Sequence, residues 1–127
     1  MKTSIEIDAP AAAAWELLTD TSRWSSWGPS VTAAGSAGRF IRAGSTGWVE
    51  TVLGLRLPFR ITGFEAGQRW NWEVAGIPAT GHLVESLGPG RCRVTFEVPL
   101  LAAPYLAVCK LATIRIKRIL EKENRPQ

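Results

Sequence analysis

Hydrophobic and polar positions change period three times along this chain. Ile5 and Ile7 alternate with Glu6 and Asp8, the two-residue period of a half-buried strand. After Pro10 the pattern becomes helical: Ala14, Leu17 and Leu18 fall on one stripe bordered by Trp15, and Ala11–Ala14 are strong helix formers. Asp20-Thr-Ser ends that helix and can cap a second, short one over Ser22–Trp27, closed by Gly28-Pro29. Trp24 and Trp27 are three apart, so both can leave one helix face.

From Val31 to Val98 the texture is strand and turn, with glycines punctuating it every few residues as in an antiparallel meander. The alternation predicts strands at about 31–35, 39–43, 46–53, 56–65, 69–75, 80–87 and 91–98, of which the first two can be one bent strand. Trp70, Trp72 and Val74 alternate with Arg69, Asn71 and Glu73, and Cys92, Val94, Phe96 and Val98 with Arg91, Arg93, Thr95 and Glu97. Gly88-Pro89-Gly90 joins the last two strands. A three-residue loop there puts His82 and Val84 on the Val94/Phe96 face, whereas a two-residue loop puts Leu83 and Leu87 there; the first is the preferred reading. A long amphipathic helix is predicted over Leu101–Lys122, with Pro104 in its first turn and a frayed end over 123–127. Its stripe is Tyr105, Val108, Cys109, Ala112, Ile116, Ile119 and Leu120.

The order is therefore strand, two short helices, a run of strands, then one long helix. This predicts an α+β domain over 1–127, a curved antiparallel sheet of about six or seven strands wrapped around the C-terminal helix, with an apolar space between them. Leu, Ile, Val and Phe supply 32 of the 127 residues, enough to expect a self-sufficient core.

Composition narrows the chemistry mostly by exclusion. His82 is the only histidine and Asp8 and Asp20 the only aspartates, which argues against multi-histidine and Asp-rich metal sites; no metal and no cofactor is expected. Cys92 and Cys109 read as small buried hydrophobes. The net charge of +4 raises nucleic acid and anionic surfaces as partners, but the charges are dispersed, the cluster at Lys117, Arg118 and Lys122 is small, and no nucleic-acid motif is present. The longest uncharged apolar-rich stretch, Val98–Cys109, is too short to span a bilayer. With no apolar leader at the N-terminus, a cytoplasmic protein without stable membrane insertion is expected, monomeric or weakly dimeric.

Four blocks carry a family resemblance. Ile5-Glu-Ile-Asp-Ala-Pro-Ala-Ala-Ala-Ala-Trp-Glu-Leu-Leu-Thr-Asp is similar to the opening of the START-like, helix-grip (SRPBCC) superfamily, and within it resembles the bacterial polyketide cyclase/dehydrase-like branch. Trp24-Ser-Ser-Trp-Gly-Pro-Ser-Val, Phe64-Glu-Ala-Gly-Gln-Arg-Trp-Asn-Trp and the hairpin from Gly81 to Phe96 resemble its later blocks. The resemblance implies a deep apolar cavity holding a lipid, polyketide or other hydrophobic small molecule, which some members cyclise or dehydrate and many only bind or carry.

The candidate ligand residues are Trp27, Trp48, Glu50, Phe59, Trp72, His82, Phe96, Tyr105 and Cys109. Large aromatic faces suit a ligand wall, and Trp27 and Trp72 are the preferred pair. Alternation with Trp48 and Val52 turns Glu50 inward as a polar anchor, Arg60 points outward, and Tyr105 offers a hydroxyl from the start of the helix stripe. His82, if it faces the cavity, can serve as general acid or base. Binding or transport without chemistry is the leading expectation; the alternative is an aromatase/cyclase or dehydratase acting through His82.

Overall fold

The computed structural model describes residues 1–125. Among them the order is β1 (Lys2–Ile7), α1 (Ala11–Thr19), a 3₁₀ turn (Thr21–Arg23), α2 (Trp24–Trp27), then β2 (Val31–Ser36), β3 (Thr46–Thr51), β4 (Arg56–Glu65), β5 (Arg69–Val74), β6 (Ile77–Gly88) and β7 (Arg91–Glu97). A second 3₁₀ segment (Leu100–Tyr105) leads into α3 (Leu106–Glu123). The strands form one antiparallel sheet in the order β1-β7-β6-β5-β4-β3-β2, and α3 packs against β1 and β7 with α1 and α2 beside it. The architecture is α+β, with two short helices after β1 and the long helix against the sheet, as the period changes predict.

Two expectations are corrected. Residues 39–43 add no strand to the sheet. Their backbone groups bond instead to the end of α1 and the turn after it: Thr21 N–H donates to Arg39 O and Ile41 N–H to Thr19 O, both at 2.9 Å. Asp20 locks this junction, accepting from Ser22 N–H at 3.0 Å and from Arg39 Nε at 2.9 Å. Second, Pro104 precedes the long α-helix: residues 100–105 wind as 3₁₀, kinked at Ala102, and α3 starts at Leu106. The missing Pro104 N–H and its ring are tolerated there, outside the i→i−4 ladder. The buried face of α3 is Cys109, Ala112, Thr113, Ile116 and Leu120. Of the frayed end expected over 123–127, Glu123 closes α3 and Asn124 lies in a turn, while the last two positions are outside the described residues.

Bulges set the register that positions the interior. Ser86 pairs Cys92 while Gly88 pairs Arg91, so Leu87 is an extra residue beside a two-residue turn. Gly88 takes φ 145°, a value that favours glycine. The bulge compensates for the short turn, and His82 still pairs Phe96 and Val84 still pairs Val94. A second bulge sets Ala79 and Thr80 of β6 against the single residue Trp72 of β5. This strand starts at Ile77, three residues before its expected beginning.

Close packing at the open end of the sheet depends on Gly47. A Cβ there would strike the carbonyl oxygen of Gly35 and come within 2.7 Å of the Phe59 ring. Because one of these neighbours is backbone, Gly47→Ala is expected to destabilise the protein by about 2–3 kcal/mol, measured as a lower urea midpoint at unchanged m-value.

Candidate functional site

Alternation on β5 and β6 turns Trp70, Trp72, Thr80 and His82 to the side of the sheet facing α3. Opposite them, α2 contributes Trp24 and Trp27, and α3 with the segment before it contributes Tyr105, Val108, Cys109 and Ala112. Together these residues enclose an inner chamber of about 40 Å³. An outer chamber of about 390 Å³ adjoins it, lined by the ends of β3–β6 and by Pro99 and Ala102. Ser30, Val31, Trp72, Thr80 and Tyr105 border both. Neither lining contains a charged residue. A hydrogen bond between the hydroxyls of Ser30 and Tyr105 lies at the boundary.

The wall is one aromatic cluster. Trp24 stacks on Trp70 at 5.5 Å with 7° between the planes, and meets Trp72 edge-on at 5.3 Å. Trp70 stacks on His82 at 3.8 Å, and Phe96 stands edge-on to both His82 and Trp27. The indole N–H groups of Trp24 and Trp27 donate to the carbonyls of Leu18 and Leu17, which fixes α2 against α1.

The His82 hydrogen bonds leave one consistent proton arrangement. Its Nδ1 lies 3.2 Å from Trp70 O, and a carbonyl only accepts, so Nδ1 carries the proton. Nε2 is then an acceptor, and Thr80 O–H donates to it at 2.9 Å. The Thr80 oxygen in turn accepts from Trp72 Nε1–H at 3.1 Å. Burial away from water disfavours the imidazolium and pushes the His82 pKa down to about 3, although the bond to Trp70 O opposes the shift. At neutral pH the ring is therefore uncharged, with both nitrogens occupied.

Of the nine residues singled out from the sequence, six line the inner chamber: Trp27, Trp72, His82, Phe96, Tyr105 and Cys109. Cys109 is buried, and desolvation raises its thiol pKa to about 11, so it lines the wall as an inert neutral group. Tyr105 is likewise pushed up by burial, against the opposing hydrogen bond with Ser30. Phe59 is buried behind the wall, against Trp24 and Trp72, and does not line the chamber.

Trp48 and Glu50 are on the other face. In antiparallel pairs, directly opposed residues share a face. Val49 pairs Leu57 toward the interior, while Trp48 pairs Pro58 and Glu50 pairs Arg56 on the outside. Gly35 leaves room for the Trp48 indole, on which Arg56 stacks at 3.9 Å, and Arg56 also faces Glu50. Arg60 points outward as expected and pairs with Glu73. Sequence reasoning missed Trp24, Trp70 and Thr80. Trp70 shares the alternation of Trp72, and Thr80 stands two before His82, so both were available as signals; Trp24 required the docking angle of α2.

Among the described residues there is no group of three or more His, Cys, Asp or Glu that could hold a metal ion, and no helix is long and apolar enough to cross a membrane.

The family model described as polyketide cyclase / dehydrase and lipid transport matches residues 1–123. A search of curated proteins finds no sequence match. Among solved structures, the chain resembles the protein XoxI from Bacillus cereus with a TM-score of 0.76, 10% identity, and coverage of 99% of this chain and 98% of that one. It resembles the Zhui aromatase/cyclase from Streptomyces sp. R1128 with a TM-score of 0.75, 12% identity, and coverage of 98% and 94%. A START superfamily protein from Mycobacterium smegmatis gives 0.71, 12%, and 98% of both chains. At such identities these likenesses concern the fold, and it is the family match over nearly the full length that assigns the chain. It belongs to the polyketide cyclase/dehydrase and lipid transport family.

Proposed function

We propose that the protein binds and carries a hydrophobic small molecule, lipid or polyketide-like, in the two adjoining chambers between the sheet and α3. The observation that carries this reading is the uncharged, largely apolar lining of both chambers. At about 390 Å³ the outer chamber is within the usual range of ligand sites. Apolar side chains also stand exposed near its mouth: Ile77 is 68% accessible and Leu100 77%. The inner chamber is too small for more than a few atoms, so full occupancy requires Tyr105 to part from Ser30 and the aromatic side chains to give way.

The alternative, cyclisation or dehydration through His82, is less well supported. It would need Nε2 freed from Thr80 and a proton held by a ring whose pKa is about 3. Carriage needs neither.

The test is titration with the neutral fluorophore N-phenyl-1-naphthylamine, read by energy transfer from the tryptophans. Ala102→Trp, in the outer chamber, and Ala112→Leu, in the inner one, are each expected to weaken binding by about tenfold or more by filling the site. Trp48→Phe, on the outer face, should bind as the natural protein does. Failure of the natural protein to bind, or binding indifferent to both filling variants, would remove this reading.

A further inference from the structure

Among the described residues, two buried side-chain polar atoms have no hydrogen-bond partner: Trp70 Nε1 and Thr51 Oγ1. Both belong to residues lining the chambers, Trp70 the inner and Thr51 the outer. Buried polar groups without partners are rare in folded proteins, and leaving one unpaired is costly. Trp70 is fully buried, and its indole N–H can only donate. The neighbouring donors are already used: Trp72 Nε1 by Thr80, Trp24 Nε1 by Leu18 O and Trp27 Nε1 by Leu17 O. The Thr80 hydroxyl and both His82 nitrogens are also engaged. Among the residues lining the inner chamber, Trp70 therefore carries a buried indole donor of fixed position without a partner, beside the Ser30–Tyr105 pair, in which one rotatable hydroxyl proton is also unspent; the lining holds no cation.

We infer that Trp70 is a specificity-determining residue whose indole N–H donates to a neutral acceptor oxygen, such as a ketone or ester carbonyl, at the end of the ligand that enters the inner chamber. This rests on the carrier reading above. It also sets a selection rule. A plain hydrocarbon leaves the donor unpaired. A carboxylate would have to be desolvated with no positive charge in either lining, which is disfavoured despite the chain's net charge of +4. A molecule of the same length carrying a neutral carbonyl satisfies the donor without introducing a charge.

The experiment compares 2-undecanone, undecane and undecanoate as displacers of N-phenyl-1-naphthylamine. The ketone is expected to bind about tenfold more tightly than the alkane, and undecanoate least well. In Trp70→Phe the ratio of ketone to alkane affinity should fall to about one. That substitution keeps an aromatic ring over His82, and the Trp70 group that holds His82 is its backbone carbonyl, which the variant retains. A measurement on the natural protein guards against a misfolded variant: the Trp70 indole ¹H–¹⁵N resonance should move on adding 2-undecanone and stay nearly fixed with undecane. Equal affinity for ketone and alkane, or an indole resonance unmoved by bound ketone, would overturn the assignment of Trp70 alone. Failure of the fluorophore and all three compounds to bind would overturn the carrier reading and this inference together.

Discussion

Trp24→Ala is expected to cost about 3–5 kcal/mol of stability. The side chain is 2% exposed and touches three aromatic neighbours, Trp70, Trp72 and Phe59, at centroid distances of 5.5, 5.3 and 5.2 Å. Truncation removes that contact, leaves a void rimmed by rigid rings that cannot collapse into it, and strips the Leu18 carbonyl of its indole donor. Domains of this size are usually stable by about 5–15 kcal/mol, so the variant should approach the unfolding threshold. Trp24→Phe, which refills most of the volume but not the hydrogen bond, should lose about 1–2 kcal/mol. Trp48→Ala, an equal truncation on the outer face, should lose about 1 kcal/mol or less. Urea midpoints at constant m-value would rank the three. A Trp24→Ala loss no greater than that of Trp48→Ala would mean that the cluster is not the keystone of the interior.

Acid should begin to destabilise the protein just below neutral pH, through His82. The unfolded chain protonates His82 near pH 6.5, whereas the folded chain resists until about pH 3. Between these values the unfolded state binds the extra proton. The contribution of neutral His82 is therefore complete above pH 6.5 and falls as pH drops, by about 1.4 kcal/mol per unit. At pH 5 this amounts to about 2 kcal/mol. Three carboxylates act lower. Burial favours protonation of Asp20, but the hydrogen bonds from Arg39 and Ser22 outweigh it, and its pKa stays below 3.8. The bonds from Lys117 and Arg23 hold Glu121 and Glu123 below 4.5. The stability those three confer is present above their unfolded values and is lost as pH falls through the folded ones, so it starts to fail only in the lower part of the His82 window, below about pH 5. Chemical denaturation from pH 7 to pH 5 should show the steady loss in the natural protein and a nearly flat profile in His82→Gln. Parallel profiles would show that His82 is not shielded from water.

Much of the interior was legible in the chain because it depends on periodicity. Alternation placed Trp70, Trp72 and Val74 on one face of β5, and the helical stripe placed Cys109 and Ala112 on the buried side of α3. Six of nine candidate residues accordingly reach the inner chamber. Where reasoning failed, the decisive contact was remote in sequence. The side chosen for β3 was wrong because Trp48, Glu50 and Val52 alternate as cleanly as Gly47, Val49 and Thr51. Large apolar size favoured the first set, but Gly35 and Arg56 provide an outer seat for Trp48 that no local pattern reveals. The segment 39–43 has strand-like alternation, yet its backbone partners are Thr19 and Thr21, some twenty residues earlier.

Local residue spacing thus determined the kind, order and approximate length of the elements, and with them the α+β architecture, because periods of two and 3.6 residues follow from backbone geometry alone. Tertiary packing decided what lies between those elements. The bulge at Leu87 kept His82 beside Phe96, the bulge opposite Trp72 set Thr80 against the Trp72 indole, and burial made the one histidine neutral. Those outcomes depend on pairing register and desolvation, which arise only when distant segments meet. The unpaired Trp70 donor is of the same origin: an indole N–H lacks a partner only in relation to everything packed around it.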